Sequence, residues 1–187
     1  ALARGLHHAH TAGMVHRDVK LSNVYLVPDG EGQERPVLLD FGLVKHLDSE
    51  LDTTRSGTYM GTPLYMSPEQ ASGDLDIDPR ADVYSLGCLL YGLVTGTMPY
   101  KSTGPMQTAL MHVNAPYPPM AERDVQVDPA FEAVVRTCMA KDKDDRYSSA
   151  GELAQDLDLF AAPAVTMTVE PPPRRGGVAV GVASSAQ

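Results

Sequence analysis

His16-Arg17-Asp18-Val19-Lys20-Leu21-Ser22-Asn23 puts an acid, an amine and an amide into one short loop, and Asp40-Phe41-Gly42 brings a second acid soon after. Between them, Val24–Val27 and Val37–Leu39 are β-rich runs separated by Pro28-Asp29-Gly30, a turn sequence, so a hairpin is predicted. Asp40 should therefore leave the end of a strand beside the loop that bears Asp18. Gly61-Thr62-Pro63-Leu64-Tyr65-Met66-Ser67-Pro68-Glu69 follows, so three ordered motifs fall within about 55 residues. Any one Asp or Asn here could be ordinary turn chemistry; the set in this order, ahead of Gly61–Glu69, argues against that.

Outward from this loop, residues 1–12 carry Leu2, Leu6 and Ala9 on one side, the pattern of a short helix ending near Gly13. Residues 43–66 have little periodicity and many Ser, Thr, Asp and Gly residues, which predicts a long loop of the kind that is functional or disordered. Asp78-Pro79 has the form of an N-cap and a helix-starting proline. Val83, Leu86, Leu89, Leu90, Leu93 and Val94 then repeat at helical spacing up to a stop at Gly96, which predicts a helix buried at the centre of the domain. Asp128-Pro129 opens another helix, with Phe131, Val134, Val135, Cys138 and Met139 on one face. Ser149 and Glu152 form a candidate capping box ahead of Leu153, Leu157 and Phe160, and Pro116, Pro118 and Pro119 mark an irregular connection. From Ala161 the composition turns to Pro, Ala, Gly and Val, so the domain is expected over 1–160, with 161–187 a flexible linker or tail.

The chain has 187 residues with 43% hydrophobic content, enough for one domain with a sizeable core. A formal charge of −9 argues against nucleic acid or an anionic membrane surface as the main partner. Cys88 and Cys138 lie in apolar helical patterns and are expected as reduced core thiols, which fits a cytoplasmic location. No signal peptide is evident, and no apolar run reaches the ~20 residues that span a bilayer. Arg174-Arg175 followed by Val178–Val182 is too short a run to span, although it is compatible with a membrane anchor in a longer parent protein; the first residue, Ala1, fits a fragment of such a protein. His7, His8 and His10 do not share one helix face and are expected as surface or core histidines, not metal ligands.

Together these motifs resemble the carboxy-terminal lobe of the bacterial eukaryotic-like (Hanks-type) Ser/Thr protein kinases. Asp82-Val83-Tyr84-Ser85-Leu86-Gly87 and Lys141–Leu153, which contains Arg146, extend the resemblance, which runs from Ala1 to about Phe160. It implies a mainly α fold, a kinase C-lobe with a small β-hairpin at the catalytic and metal loops and with the N-lobe absent from this chain. No Gly-x-Gly-x-x-Gly occurs, so the glycine-rich loop, the ATP-anchoring lysine and its glutamate partner would lie upstream of Ala1. Ser67 stands where alanine is usual before Pro68-Glu69, and Leu21-Ser22 where Pro-Glu is commoner; neither change removes a chemical group.

The implied activity is transfer of the γ-phosphate of Mg-ATP to protein Ser/Thr hydroxyls, chemistry that depends on positioning and charge neutralisation. Asp18 would take the acceptor hydroxyl's proton, and Lys20, two residues on, would neutralise the γ-phosphate and favour Ser/Thr over Tyr acceptors. Asn23 and Asp40 would supply oxygen ligands to Mg²⁺, and Tyr25 would line the floor of the adenine pocket. Arg17 would clamp a phosphorylated activation loop, with Thr53, Thr54, Ser56 and Thr58 as acceptors, Thr54 and Ser56 standing where related enzymes autophosphorylate. Thr62 would bridge Asp18 and Lys20, Glu69 and Arg146 would form a buried ion pair, and Asp82 would accept hydrogen bonds from the catalytic-loop backbone. His16 would be structural. The expected partners are protein substrates and, for autophosphorylation, a second copy of the kinase. A pseudokinase-like scaffold and a small-molecule phosphotransferase of related fold are the alternatives; the complete Asp18, Lys20, Asn23 and Asp40 set counts against the first and Gly61–Glu69 against the second.

Overall fold

A computed structural model describes residues 1–30, 32–40 and 63–160. The first helix, α1 (Leu2–Thr11), buries Ala3, Leu6 and Ala9, a stripe at intervals of three residues. Gly13, at φ 76°, donates its N–H to the His10 carbonyl and ends the helix in the left-handed region where glycine carries no Cβ penalty. The chain runs extended to a 3₁₀ turn at Leu21–Asn23 and enters a hairpin of β1 (Val24–Pro28) and β2 (Glu34–Leu38). The two strands are antiparallel, with Val24 opposite Leu38 and Tyr25 opposite Val37, and the Asp29 N–H donates to the Gln33 carbonyl at the turn.

From residue 63 on, the described residues form five α-helices: α2 (Pro68–Ser72), α3 (Arg80–Thr95), α4 (Pro105–Asn114), α5 (Pro129–Cys138) and α6 (Ala150–Asp158). α3 is the axis of the domain. Val83, Leu86 and Leu89 face a cluster shared with Leu6, Val19, Cys138 and Leu153, while Tyr84, Cys88 and Tyr91 face a second with Tyr100, Met120 and Met139. Burying each such side chain contributes roughly 1.5–3 kcal/mol, which is why a helix apolar on every side sits between two layers. A Cβ on Gly87 would lie 2.6 Å from the Cys138 Cβ, so the close approach of α3 to α5 requires glycine there. Both cysteines are buried and free, as expected.

The ends of these helices refine the sequence-based expectations. α3 starts at Arg80, with Pro79 just outside it, and the Asp78 Oδ1 accepts the Arg80 N–H at 2.8 Å. Leu93 and Val94, expected in the core, are 59% and 38% exposed: the last turn of α3 passes beyond the packed layers, and Leu93 borders an open apolar cleft with Leu21, Tyr65, Leu89 and Met98. Asp128 caps α5 through the Ala130 N–H. Ser149 caps α6 by accepting the Glu152 N–H, but Glu152 reaches back to the Ser148 N–H, so only half of the expected capping box forms. α2 and α4, packed against one another, were not anticipated. Among the described residues no helix is long and apolar enough to cross a membrane.

Candidate active site

Asp82, in the first turn of α3, is completely buried. Its Oδ2 accepts the His16 N–H at 2.7 Å and its Oδ1 the Arg17 N–H at 2.8 Å, the role expected of it. A third donor, His10 Nε2 from the end of α1, reaches Oδ2 at 2.8 Å. A buried carboxylate is tolerated when such donors replace its water. Here they also fix a backbone in an uncommon state, because Arg17 has φ 63°, in the left-handed region that costs a non-glycine residue of order 1 kcal/mol or more.

His16 links this loop to the hairpin. Its Nδ1 accepts the Asp18 N–H at 3.2 Å, so Nε2 carries the proton and donates to the Leu39 carbonyl at 3.1 Å. The Leu39 N–H in turn donates to the Asn23 carbonyl at 2.9 Å. Asp40 is the next residue, exposed and held at φ 58°, a second left-handed non-glycine position. The end of β2 is thus tied to the loop through both backbone groups of Leu39, the residue preceding Asp40.

Within the loop, the Asp18 Oδ2 accepts from Lys20 Nζ at 2.8 Å and from Asn23 Nδ2 at 3.3 Å, and the same Asn23 nitrogen donates to the Asp18 carbonyl at 2.9 Å. Asp18, Lys20 and Asn23 therefore converge. With its nitrogen turned to Asp18, Asn23 keeps its carbonyl oxygen as the atom for a cation, and Asp40 offers a carboxylate. Both are hard oxygen donors of the kind Mg²⁺ takes together with phosphate and water, so the residues present fit that ion. Among the described residues no group of three or more His, Cys, Asp or Glu side chains could hold a metal alone. Tyr25 sits on β1 and is 51% exposed.

Behind the site, Arg146 meets Glu69 with two parallel bonds of 2.8 Å. Its remaining N–H groups donate to the carbonyls of Ala140, Arg80 and Lys141, so all five guanidinium donors are used. Burial would raise the Glu69 carboxyl, but the hydrogen bond and charge of Arg146 hold it below its ordinary value. The guanidinium also lies 4.9 Å from the Tyr84 ring centre. The pair fastens the first turn of α2 to the helical core.

Residues 1–157 match the family model described as the protein kinase domain. The chain belongs to the protein kinase family. Its relatives are bacterial Ser/Thr kinases of the Hanks type. It is 37% identical over 158 residues to a probable serine/threonine-protein kinase, SCO3848, of Streptomyces coelicolor, covering 84% of this chain and 23% of that protein. It is 35% identical over 190 residues to the serine/threonine-protein kinase PknB of Mycolicibacterium smegmatis, covering 94% of this chain and 30% of that one. The chain thus spans about a quarter of the curated relatives it matches. In fold it resembles the crystal structure of Rad53 1–466 in complex with AMP-PNP, with TM-score 0.64 and 22% identity over 83% of this chain and 37% of that chain. Among the described residues, the helical domain with its one hairpin has the form of a kinase C-lobe.

The kinase geometry brings together Asp18, Lys20 and Asn23, places Asp40 at the adjoining strand end, and joins Asp82 to the loop and Glu69 to Arg146. Phe41-Gly42, Thr53, Thr54, Ser56, Thr58 and Thr62, with the tail from 161, lie outside the described residues. Two contributors escape the sequence reasoning. His10 reads there only as a rejected metal ligand or a generic histidine, and nothing local to α1 announces a partner 72 residues away. Gln70 Nε2 donates to the Arg17 carbonyl at 3.0 Å. A signal for Gln70 is present, since Ser67-Pro68-Glu69-Gln70 is a capping-box sequence with proline at the first helical position.

Proposed function

We propose that the protein containing this chain is a Ser/Thr protein kinase that transfers the γ-phosphate of Mg-ATP to protein hydroxyls. The convergence of Lys20 and Asn23 on the Asp18 carboxylate carries this proposal. Asp18, placed by the grip of Asp82 on the preceding backbone, accepts the hydrogen bond of a substrate Ser or Thr and takes its proton as the new P–O bond forms and the bond from the γ-phosphorus to the departing ADP oxygen breaks. Lys20 keeps a positive charge beside that carboxylate and is placed to pair with the transferring phosphoryl oxygens. Mg²⁺, when bound, neutralises phosphate charge; Asn23 Oδ1 and the Asp40 carboxylate would hold it. Tyr25, on the open face of β1, would form the floor beneath the adenine.

Regulation follows from the same loop: a phosphate on Thr54, Ser56 or Thr58 would pair with the Arg17 guanidinium and order the segment that carries it. Residues 161–187 would act as a linker, placing the catalytic domain in the cytoplasm, free or tethered to a membrane in a longer parent protein. The 187-residue chain taken alone, with no glycine-rich phosphate loop in its sequence, should turn over little.

The test is phosphate transfer from ATP to protein by the full-length protein and its Asp18→Asn variant, each first shown to be folded. Loss of at least a hundredfold in rate with the fold retained is expected from removing a general base, on the order of the 10²–10⁴ such groups contribute. An undiminished rate in the variant, or transfer only to small molecules, would sink the proposal. Robust phosphorylation by the isolated chain would refute its expected inactivity.

A further inference from the structure

Gln70 uses both ends of its side-chain amide, and the two ends serve different elements. Its Oε1 accepts the Ser67 N–H at 3.0 Å while its own backbone N–H donates to Ser67 Oγ at 3.3 Å, closing the capping box that starts α2. Its Nε2 donates to the Arg17 carbonyl at 3.0 Å. The assignment of oxygen and nitrogen is unambiguous, because a backbone N–H can only donate and a carbonyl can only accept.

The carbonyl that Gln70 holds belongs to the peptide unit joining Arg17 to Asp18. The N–H of that same unit donates to His16 Nδ1 at 3.2 Å, so the plane is gripped from both edges. The preceding unit is fixed by Asp82 through the Arg17 N–H. Arg17 lies between the two at φ 63°. A left-handed residue between two peptide planes is where one plane can rotate to relieve strain, carrying the following side chain with it. The following side chain is Asp18.

We infer that Gln70 is a positioning residue for Asp18: its amide nitrogen sets the Arg17–Asp18 peptide plane, while its amide oxygen independently caps α2. This rests on the phosphoryl-transfer reading above and deepens it, since the segment ending at α2 then bears directly on the aim of the proposed base. Removing the nitrogen without the oxygen should misplace the carboxylate and leave the helix cap intact.

Gln70→Glu makes that separation. It keeps an oxygen for the Ser67 N–H, deletes the donor, and sets a carboxylate oxygen against the Arg17 carbonyl. In the full-length protein kcat should fall by about tenfold, equivalent to ~1.4 kcal/mol of barrier, with the KM for ATP and the melting temperature close to those of the parent. Protonating the introduced carboxylate would restore a donor, so the ratio of variant to parent rate should climb as pH is lowered toward the ordinary glutamate value of about 4.3. Amide hydrogen exchange at Asp18 should be faster in the variant at neutral pH, a readout that needs no catalysis.

An unchanged kcat, or a loss that is independent of pH and tracks a fall in melting temperature, would overturn the inference. If the parent protein transfers no phosphate at all, the functional reading fails and the exchange measurement alone decides: faster exchange at Asp18 supports the hold by Gln70, and equal exchange refutes it.

Discussion

Asp82 and Asp18 serve the same loop from opposite surroundings. Asp82 is wholly buried, and both its oxygens are committed to the N–H groups of His16 and Arg17 and to His10. The Asp18 side chain keeps 23% exposure beside a Lys20 side chain that is 36% exposed. The ion pairs divide in the same way, since Arg146 and Glu69 are 0% and 8% exposed. A carboxylate filled by fixed donors can hold a strained backbone but has no freedom to change partners. One at the surface adds little to the fold and can accept a hydroxyl, release it, or meet a phosphate's counter-charge. The first region is a frame and the second a tool, and the two should respond differently to perturbation.

The largest effect should come from breaking the frame. Arg146→Ala leaves Glu69 buried without its partner and three backbone carbonyls without their donor. Removing one member of a buried pair costs about 3–5 kcal/mol. Urea unfolding of the variant should show a loss of that order, and a loss under ~1 kcal/mol would mean the pair is solvated like a surface one.

A somewhat smaller effect should come from acid acting on the neighbouring cluster. Beneath Arg146, the His112 Nδ1 lies 3.0 Å from the Tyr84 hydroxyl. Burial first, and then the nearby Lys141 charge, push the His112 imidazole down to about 4, with the Pro63 backbone pulling weakly the other way. A folded value below the unfolded one means the unfolded chain binds the extra proton. Stability is therefore full above 6.5 and drains as pH falls toward 4, by up to about 3 kcal/mol. The Asp78 carboxyl, held down to about 2 despite burial by its bonds and charge pairing with Arg80, loses its contribution only below 3.8, so it leaves this window clear. Unfolding free energies at pH 7 and pH 5 should differ in the parent and much less in His112→Gln. Equal slopes would show that His112 already carries its proton in the fold.

Much of the frame was legible because its signals are local or periodic. The apolar repeat of α3, the caps Asp128 and Ser149, the stops at Gly13 and Gly96 and the turn at Pro28-Asp29-Gly30 each report on a few neighbouring residues. The convergence of Asp18, Lys20 and Asn23 was legible for the same reason, all three lying within six consecutive residues. Joining Asp82, Glu69 and Arg146 to the site depended on family resemblance, since their partners lie 65 to 77 residues away. His10 and Gln70 act through contacts of similar range and stayed hidden, although the Ser67 cap was readable. The short α2 and α4 were missed because neither shows an apolar stripe: α2 has only 5 residues, and α4 starts from Gly104 without a side-chain cap and buries Thr108, Ala109 and His112 while Met106 and Leu110 stay exposed. Leu93 and Val94 misled for the converse reason: periodicity shows which residues can be buried, while the extent of the packed layers decides how far along the helix they are.

The smallest stability change should come from the tool itself. In Lys20→Met the Asp18 carboxylate loses a charged neighbour 2.8 Å away, yet it retains Asn23 Nδ2 as a donor. Water can replace the ammonium at a site this open, so the fold should lose no more than ~1 kcal/mol, the range of exposed pairs. Phosphate transfer in the full-length protein should nevertheless fall by a hundredfold or more, about what removing one preorganised electrostatic group costs a transition state. The comparison with Arg146→Ala is the sharpest contrast available: both variants delete a cation paired at the same 2.8 Å, one mainly destabilising the fold and the other mainly slowing the reaction. Equal destabilisation by the two would erase the distinction between frame and tool, because burial would then have ceased to matter to the strength of the pair.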